Sequence, residues 1–314
     1  MPKVSIIMGI YNCAPTLPEA IDSILAQTFS NWQLILCDDG SADSTYAVAK
    51  SYQERFPDKI VLLQNERNMG LNHTLNRCLQ KADGEYVARM DGDDVSLPTR
   101  LEKEATFLDE HPEYAIVSTP MIFFDESGDW GRSYAGPCNK LYRSDIIKSS
   151  GVRFPEDLSL GEDWLFNLAY IDASENGRIA VITKPLYNYV RGNDESLDSK
   201  YRSDLLDIYR RLNNACLTHL QKWEVSDAQM TKFFDSRFYL YERVLRNTMR
   251  APDKSMRKGI RWNNAFLHSA EFREALETRE CFVHPLYLMA YRSGSYRAVL
   301  FLNQLNKWKS KFLK

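Results

Sequence analysis

The chain opens on a run in which almost every position is apolar, residues 4–10 (VSIIMGI), and a continuous apolar run this short predicts a strand buried on both faces. The next apolar positions, Leu17, Ala20, Ile21 and Ile24, recur at helical spacing, and Thr16 with Glu19 three residues on predicts a capping box for a helix through Gln27. Residues 33–37 repeat the buried-strand pattern and run into acidic turn residues, after which Asp43 is placed to cap a helix to about Arg55. Strands at 60–64, 85–90 and 115–118 then alternate with helices at 70–82 and 97–110. This alternation with short connections predicts an α/β domain with a mostly parallel sheet flanked by helices and right-handed crossovers. Past about residue 200 the period changes, and stretches such as 203–221 and 227–249 keep helical spacing, rich in Tyr, Leu, Phe and Arg. The division expected is therefore a catalytic-type domain over 1–200 and a helical, basic region over 201–314.

Composition sharpens this picture at three points. The net charge of −2 conceals a split: residues 1–200 sum to −12 and residues 201–314 to +10. From Cys281 to Lys314 there is no acid, while Arg292, Arg297, Lys307, Lys309, Lys311 and Lys314 alternate with apolar residues. Such a segment fits an anionic membrane surface, and equally a helix docked on the acidic half or a dimer contact. Nucleic acid is not expected as a partner, because no reading motif is present and the basic residues before 281 mix with acids. The six cysteines show no metal spacing and suit reduced thiols in a cytosol. The start does not read as a signal peptide, and no run of ~18 apolar residues predicts a spanning helix. The expected location is cytoplasmic, peripheral on the inner face of a membrane.

In open α/β sheets ligands bind beyond the carboxyl ends of the strands, so candidate chemistry is sought just after each strand. Three acidic groups lie there. The first, Asp38-Asp39-Gly40-Ser41-Ala42-Asp43, offers carboxylates to a ligand's N–H or hydroxyl groups, or serves only as turn and cap residues. In the second, Arg89-Met90-Asp91-Gly92-Asp93-Asp94, three carboxylates within four residues repel one another unless something positive sits among them. Mg²⁺ or Mn²⁺ suits such oxygen ligands and bridges carboxylates to substrate phosphates; an acidic turn capping the next helix is the plainer alternative. The third, Gly161-Glu162-Asp163-Trp164, opens a helix, where acids compensate the helix dipole or supply a general base. The chain holds no GxxxxGK[ST] loop, no GxGxxG after a strand and no GxSxG elbow, which disfavours phosphate-loop enzymes, dehydrogenases and serine hydrolases.

Taken in order, these motifs resemble family 2 glycosyltransferases with the GT-A fold. The likeness runs from Val4-Ser5-Ile6-Ile7 and Tyr11-Asn12 through Gln27-Thr28, Asp38-Asp39-Gly40-Ser41, Asn68-Met69-Gly70-Leu71 and Gly84–Asp94 to Leu97-Pro98-Thr99-Arg100-Leu101, then resumes at Asn139-Lys140-Leu141-Tyr142-Arg143 and Gly161-Glu162-Asp163. It implies an inverting transferase that moves a sugar from a nucleotide diphosphate sugar, usually a uridine one, to a saccharide or lipid-linked acceptor in surface polysaccharide synthesis. By the same resemblance Tyr11 and Asp39 contact the base, Asp91 lies near the ribose, Asp93 holds a divalent Mn²⁺ or Mg²⁺, and Asp163 is the general base. Arg89 and Arg100 are candidate donor contacts or ordinary salt-bridge partners. The segment Tyr187-Asn188-Tyr189-Val190-Arg191 with Ser196 resembles the region that closes over the donor. Two departures stand out: Leu75 precedes Asn76 where many relatives carry Arg, and residues 125–137 are short for the acceptor-side insertion. A sugar nucleotidyltransferase shares the architecture and metal, and a non-catalytic scaffold of an assembly complex is the other alternative.

Overall fold

The structure, a computed structural model, describes residues 1–124, 130–133, 138–158, 160–175, 177–190, 202–222, 227–250, 256–279, 281 and 283–312. Its contacts divide the chain into two compact units, Met1–Asp194 and Glu195–Lys314. In the first, the order of elements is β1 (Val4–Ile10), α1 (Leu17–Leu25), β2 (Trp32–Asp38), α2 (Thr45–Arg55), β3 (Ile60–Gln64), α3 (Leu71–Leu79), β4 (Tyr86–Arg89), β5 (Val95–Ser96), α4 (Arg100–Glu110), β6 (Ile116–Ser118), β7 (Met121–Phe124), β8 (Trp130–Ser133), β9 (Lys140–Arg143), α5 (Ser144–Ser150), α6 (Glu162–Ala173), β10 (Ile179–Val181) and β11 (Tyr187–Tyr189).

The expected α/β sheet is present. Seven strands pair in the order β10-β6-β9-β4-β1-β2-β3. The pairs β1–β2, β2–β3, β1–β4 and β6–β10 are parallel, and β9 alone runs against its two neighbours, β4 and β6. Residues of β1 alternate between two cores, as a two-period strand requires. Ile6, Met8 and Ile10 join Leu34, Leu36, Ala88 and the buried face of α1, whereas Ile7 joins Ile35, Cys37, Val87 and the α3 residues Leu75 and Cys78. Both faces are covered, so the strands read as unbroken apolar runs.

Not anticipated from the sequence is a second sheet, β5-β11-β7-β8, in which β11 pairs antiparallel with β5 and parallel with β7. The capping box also fails. Thr16 already has helical backbone angles (φ −100°, ψ −28°) and its side chain caps no amide. A capping side chain reaches its amide from an extended backbone, and Pro18 removes one candidate N–H. The Thr16 hydroxyl donates instead to the carbonyls of Cys13 at 3.2 Å and Gly92 at 3.0 Å.

The second unit is helical: α7 (Leu205–Lys222), α8 (Asp227–Thr248), α9 (Met256–Leu267), α10 (Ala270–Thr278), α11 (Pro285–Ser293) and α12 (Tyr296–Phe312). Its core is aromatic, with Phe238, Phe266, Phe272 and Tyr291 at centroid separations of 5.7–6.1 Å. The Tyr241 hydroxyl donates to Glu271 Oε1 at 2.7 Å, and Arg210 pairs with the same carboxylate at 2.9 Å. Among the described residues no helix is long and apolar enough to cross a membrane.

Candidate active site

Because β2, β1 and β4 lie side by side and run parallel, their carboxyl ends share one edge, and the residues that follow each strand meet there. Tyr11, just beyond β1, is 47% exposed. Asn12 takes the left-handed conformation (φ 47°), which Asn tolerates better than most residues. Its backbone N–H donates to Ser41 Oγ at 3.0 Å, and its Oδ1 accepts from the Ala42 N–H at 2.8 Å. Cys13 N–H donates to Thr45 Oγ1 at 2.8 Å, so the loops after β1 and β2 are stitched together. The loop after β4 joins through the Thr16–Gly92 bond. Two glycines permit this convergence. At Gly40 (φ 69°) a Cβ would lie 2.6 Å from the Arg67 backbone, and at Gly92 it would crowd Cys13 Sγ and Ile10, each at 3.1 Å.

Asp39 is buried, and its carboxylate is saturated by one loop. It accepts from Asn65 Nδ2 at 2.7 Å, Met69 N–H at 2.8 Å and Gly70 N–H at 2.9 Å. It therefore fixes the segment that opens α3. Asp38 uses one oxygen to accept from Ser41 N–H and Gln64 Nε2, both at 3.3 Å, while its buried Oδ1 has no partner.

The three acids after β4 differ in what surrounds them. Asp91 Oδ1 accepts from Arg89 Nε and Nη2 at 3.3 and 3.2 Å, and its Oδ2 from the Cys138 thiol at 3.0 Å. Asp94 is buried and accepts from the Tyr187 hydroxyl at 2.7 Å and the Val190 N–H at 2.9 Å. Burial and the neighbouring Asp91 push Asp94 up to about 8. Burial and then Asp91 raise Asp93 to about 6, against the smaller opposing pull of its own amide and of Arg89. The ligand atoms of Asp91, Asp94 and Cys138 lie within 4.8 Å of one another, a group that leaves out Asp93. Yet the carboxylates of that group already accept protein donors, and burial drives the Cys138 thiol well up. Asp93 is thus the carboxylate of this loop with the least internal compensation, and its setting fits a divalent cation and its oxygen ligands.

Gly161 (φ 77°) turns the chain into α6, whose first two residues are Glu162 and Asp163. Arg89 Nη1 lies 3.8 Å from Glu162 Oε1, so one almost fully buried guanidinium spans the second and third acidic motifs. Asp163 lines a small space with Arg89, Tyr142, Phe154 and Phe166. Burial raises Asp163, against the opposing pull of Arg89 and Lys140. Lys140, at the start of β9, is lowered to about 8 by burial, with Asp163 opposing. Arg100 supports this group from beneath, its Nη2 donating to the carbonyls of Arg89 and Lys140 at 3.4 and 3.5 Å. It is buried in a pair with Glu104 at 3.2 Å and lies over the Tyr187 ring, the ordinary salt-bridge alternative.

Cys138 falls in no motif, and Lys140 and Tyr187 lie in motif segments that give them no role of their own. Cys138 and Lys140 arrive because β9 runs backwards and presents its first residues, not its last, at this edge. Tyr187 arrives from the unanticipated second sheet and accepts from Asp91 N–H at 3.3 Å. The departure at Leu75 and Asn76 acquires a use. Leu75 packs in the core, and Asn76 exchanges hydrogen bonds with the Phe154 backbone in both directions at 2.9 Å. One turn earlier, Asn72 Nδ2 donates to the carbonyls of Pro155 and Leu158 at 2.8 and 2.6 Å, clamping the stretch that leads to α6. Polar residues at the apolar-face positions of an amphipathic helix were the available signal. Arg191, Ser196 and residues 125–129 and 134–137 lie outside the described residues.

Comparison with known proteins agrees with this geometry. Over 127 residues the chain is 55% identical to "Putative glycosyltransferase EpsE" of Bacillus subtilis, a stretch that covers 40% of this chain and 46% of that protein. It is 28% identical over 231 residues to the poly(ribitol-phosphate) beta-N-acetylglucosaminyltransferase TarS of Staphylococcus aureus, covering 67% of this chain and 40% of TarS. The chain thus spans less than half the length of these relatives. The crystal structure of TarS 1-349 with UDP-GlcNAc superposes with a TM-score of 0.70 at 23% identity, covering 94% of this chain and 89% of that one. The mannosyltransferase PcManGT of Pyrobaculum calidifontis, solved with GDP-Man and Mn2+, superposes with a TM-score of 0.55 at 17% identity, covering 95% and 86%. The description "Glycosyl transferase family 2" matches residues 5–163, so it begins inside β1 and ends on the second acid of α6. With half of the chain inside that match and a GT-A fold around it, the protein belongs to glycosyl transferase family 2.

Proposed function

We propose that this glycosyltransferase moves a sugar from a uridine diphosphate sugar to a hydroxyl of a saccharide or lipid-linked acceptor, with inversion at the anomeric carbon and with the help of Mn²⁺ or Mg²⁺. The observation that carries the reading is the meeting of three acidic motifs at one sheet edge, joined by Arg89 between Asp91 and Glu162. The TarS complex with UDP-GlcNAc supports a uridine donor, and the names of TarS and of the minor teichoic acid biosynthesis protein GgaB of Bacillus subtilis support a surface-polymer acceptor. Six widely spaced cysteines, none in a metal-type spacing, suit the reducing cytoplasm.

In this reading residues 1–200 form the catalytic domain and 201–314 a helical extension. Tyr11 stacks on the base, while Asp39 bounds the base pocket and holds its wall through Met69 and Gly70. Asp91 faces the ribose, and Arg89 fixes its carboxylate. Asp93 is the ligand for the cation, which when bound neutralises the donor's two phosphates. Asp163 takes the proton of the acceptor hydroxyl as that oxygen bonds to the anomeric carbon and the bond to the nucleoside diphosphate breaks. A general base gains from a raised affinity for the proton, and burial raises the Asp163 carboxyl against the opposing pull of Arg89 and Lys140. A nucleotidyltransferase would need a nucleoside triphosphate and no base for an acceptor hydroxyl, so the siting of Asp163 favours glycosyl transfer. Calorimetric titration with uridine and guanosine diphosphate sugars, each with and without Mn²⁺, tests the reading. Metal-dependent binding of a uridine sugar is the expected result; a folded protein that binds none of them overturns it.

A further inference from the structure

The helical unit carries a surface with no part in the chemistry above, the outer face of α11 and α12. The two helices are joined through Gly294 and Ser295, and the Tyr287 hydroxyl of the first donates to Asn303 Oδ1 of the second at 2.7 Å, so they fold back on one another. Their inner faces are accounted for. Ala290, Tyr291, Tyr296 and Val299 are buried, Tyr291 lies 5.8 Å from the rings of Phe238 and Phe272, and the Tyr296 N–H donates to Asn264 Oδ1 at 2.8 Å.

The outer faces break the usual rule for a solvated helix. On α11, Leu286 and Met289 are 52% and 67% exposed and are followed at the same spacing by exposed Arg292. On α12, exposed Arg297 is followed four residues on by Phe301, 61% exposed. Counted from the Tyr287–Asn303 bond, Met289 and Phe301 each lie two residues toward the turn, which puts them at the same level of the hairpin. Exposed large apolar side chains and two exposed arginines, Arg292 and Arg297, therefore share the outer side of the hairpin, within a stretch from Cys281 to Lys314 that contains no Asp or Glu. A soluble polyanion would need the charge but gain nothing from Leu286, Met289 and Phe301. A bilayer with anionic headgroups uses both, the apolar tips entering the acyl boundary while the arginines stay at the phosphates.

We propose that the outer face of the α11–α12 hairpin is a docking surface for an anionic lipid bilayer. It does not depend on the identity of the donor or acceptor. Sedimentation of the full chain with phosphatidylcholine vesicles, with and without ~30% phosphatidylglycerol, tests it. Expected is capture by the anionic vesicles at low salt, weakened at high salt, with little capture by the neutral ones. The triple variant Leu286→Ser, Met289→Ser, Phe301→Ser should lose about tenfold or more in partition while keeping its melting temperature and donor binding. Arg292→Gln with Arg297→Gln should weaken capture without touching the apolar face, and it keeps the test valid should the triple variant fold poorly. The proposal is overturned by no capture by anionic vesicles, by capture of both variants equal to that of the wild type, or by retention by soluble polyphosphate in place of vesicles. Concentration-dependent dimerisation abolished by the triple variant would instead assign this face to a second copy of the chain and overturn it equally.

Discussion

At the residue scale, the three carboxylates after β4 hold similar places in the sequence and different ones in space. Asp91 and Asp94 are each tied to protein donors, and Asp93 is the proposed ligand of an external cation. Asp93→Asn should therefore abolish the metal dependence of donor binding and turnover, read by titrating Mn²⁺ at fixed donor; an unchanged Mn²⁺ response would take Asp93 out of the metal site. Asp163→Asn should slow transfer by about 100-fold or more while leaving donor affinity nearly intact, the scale of a lost general base. Burial raises Asp163, so the acid limb of the wild-type kcat profile should fall above the ordinary carboxylate range, and this limb should be absent from the residual rate of Asp163→Asn. These acids were legible in the sequence because costly clusters of like charge stand out against an apolar strand. The pairing of these acids with Cys138, Lys140 and Tyr187 was not, since nothing local to those residues announces which carboxylate they will face.

At the scale of elements, period and punctuation fixed the early strands and helices to within a few residues, because parallel strands buried on both faces leave unbroken apolar runs. Side-chain capping was less legible. Thr16 has the right type and spacing for a capping box, yet its hydroxyl is taken by Gly92, a residue 76 positions away. The clamp from α3 shows the same limit, since Asn72 and Asn76 sit in a helix and act on residues 154–158. Asn76→Ala removes three hydrogen bonds to that segment, two with the Phe154 backbone and one with Glu156, and leaves buried backbone groups unpaired. It should cost about 1–3 kcal/mol in chemical denaturation. It should also lower kcat more than donor affinity, because the loosened segment leads to Asp163; equal loss in both would show that the clamp serves the donor pocket instead.

For the whole molecule, the unlike charges of the two halves and the change of period near residue 200 were readable at once, and the second sheet was not, because its strands are short and pair far along the chain. The acidic edge has a consequence for stability. Asp93 and Asp94 are raised in the folded state to about 6 and about 8, so between roughly pH 4 and 8 the folded chain binds more protons than the unfolded one. Stability then falls as pH rises through that window. Glu271, held low against burial by Arg210 and Tyr241, and Glu156, held low by Asn76 and His73, act in the opposite sense and only as pH drops below the ordinary carboxylate range. The metal-free protein should melt highest near pH 5 and lower at pH 8, and Mn²⁺ should raise the melting temperature more at pH 8 than at pH 5.5. A metal-free melting temperature that climbs from pH 5 to pH 8 would refute this account of the loop.

The reversed strand β9 also has a kinetic side. In the large sheet β6 has only β9 and β10 as neighbours, and β9 is the sole link from that pair to β4. The parallel half β4-β1-β2-β3 is complete in sequence by Arg89, but β6 cannot join it until Lys140–Arg143 has been made and inserted. On a ribosome adding about 5–20 residues per second, the parallel half of the sheet is thus synthesised seconds before the strand that closes it. The four residues of β9 act as the keystone of an arch, and Asp163, the proposed base, twenty residues further on, is added only after that stone has been made.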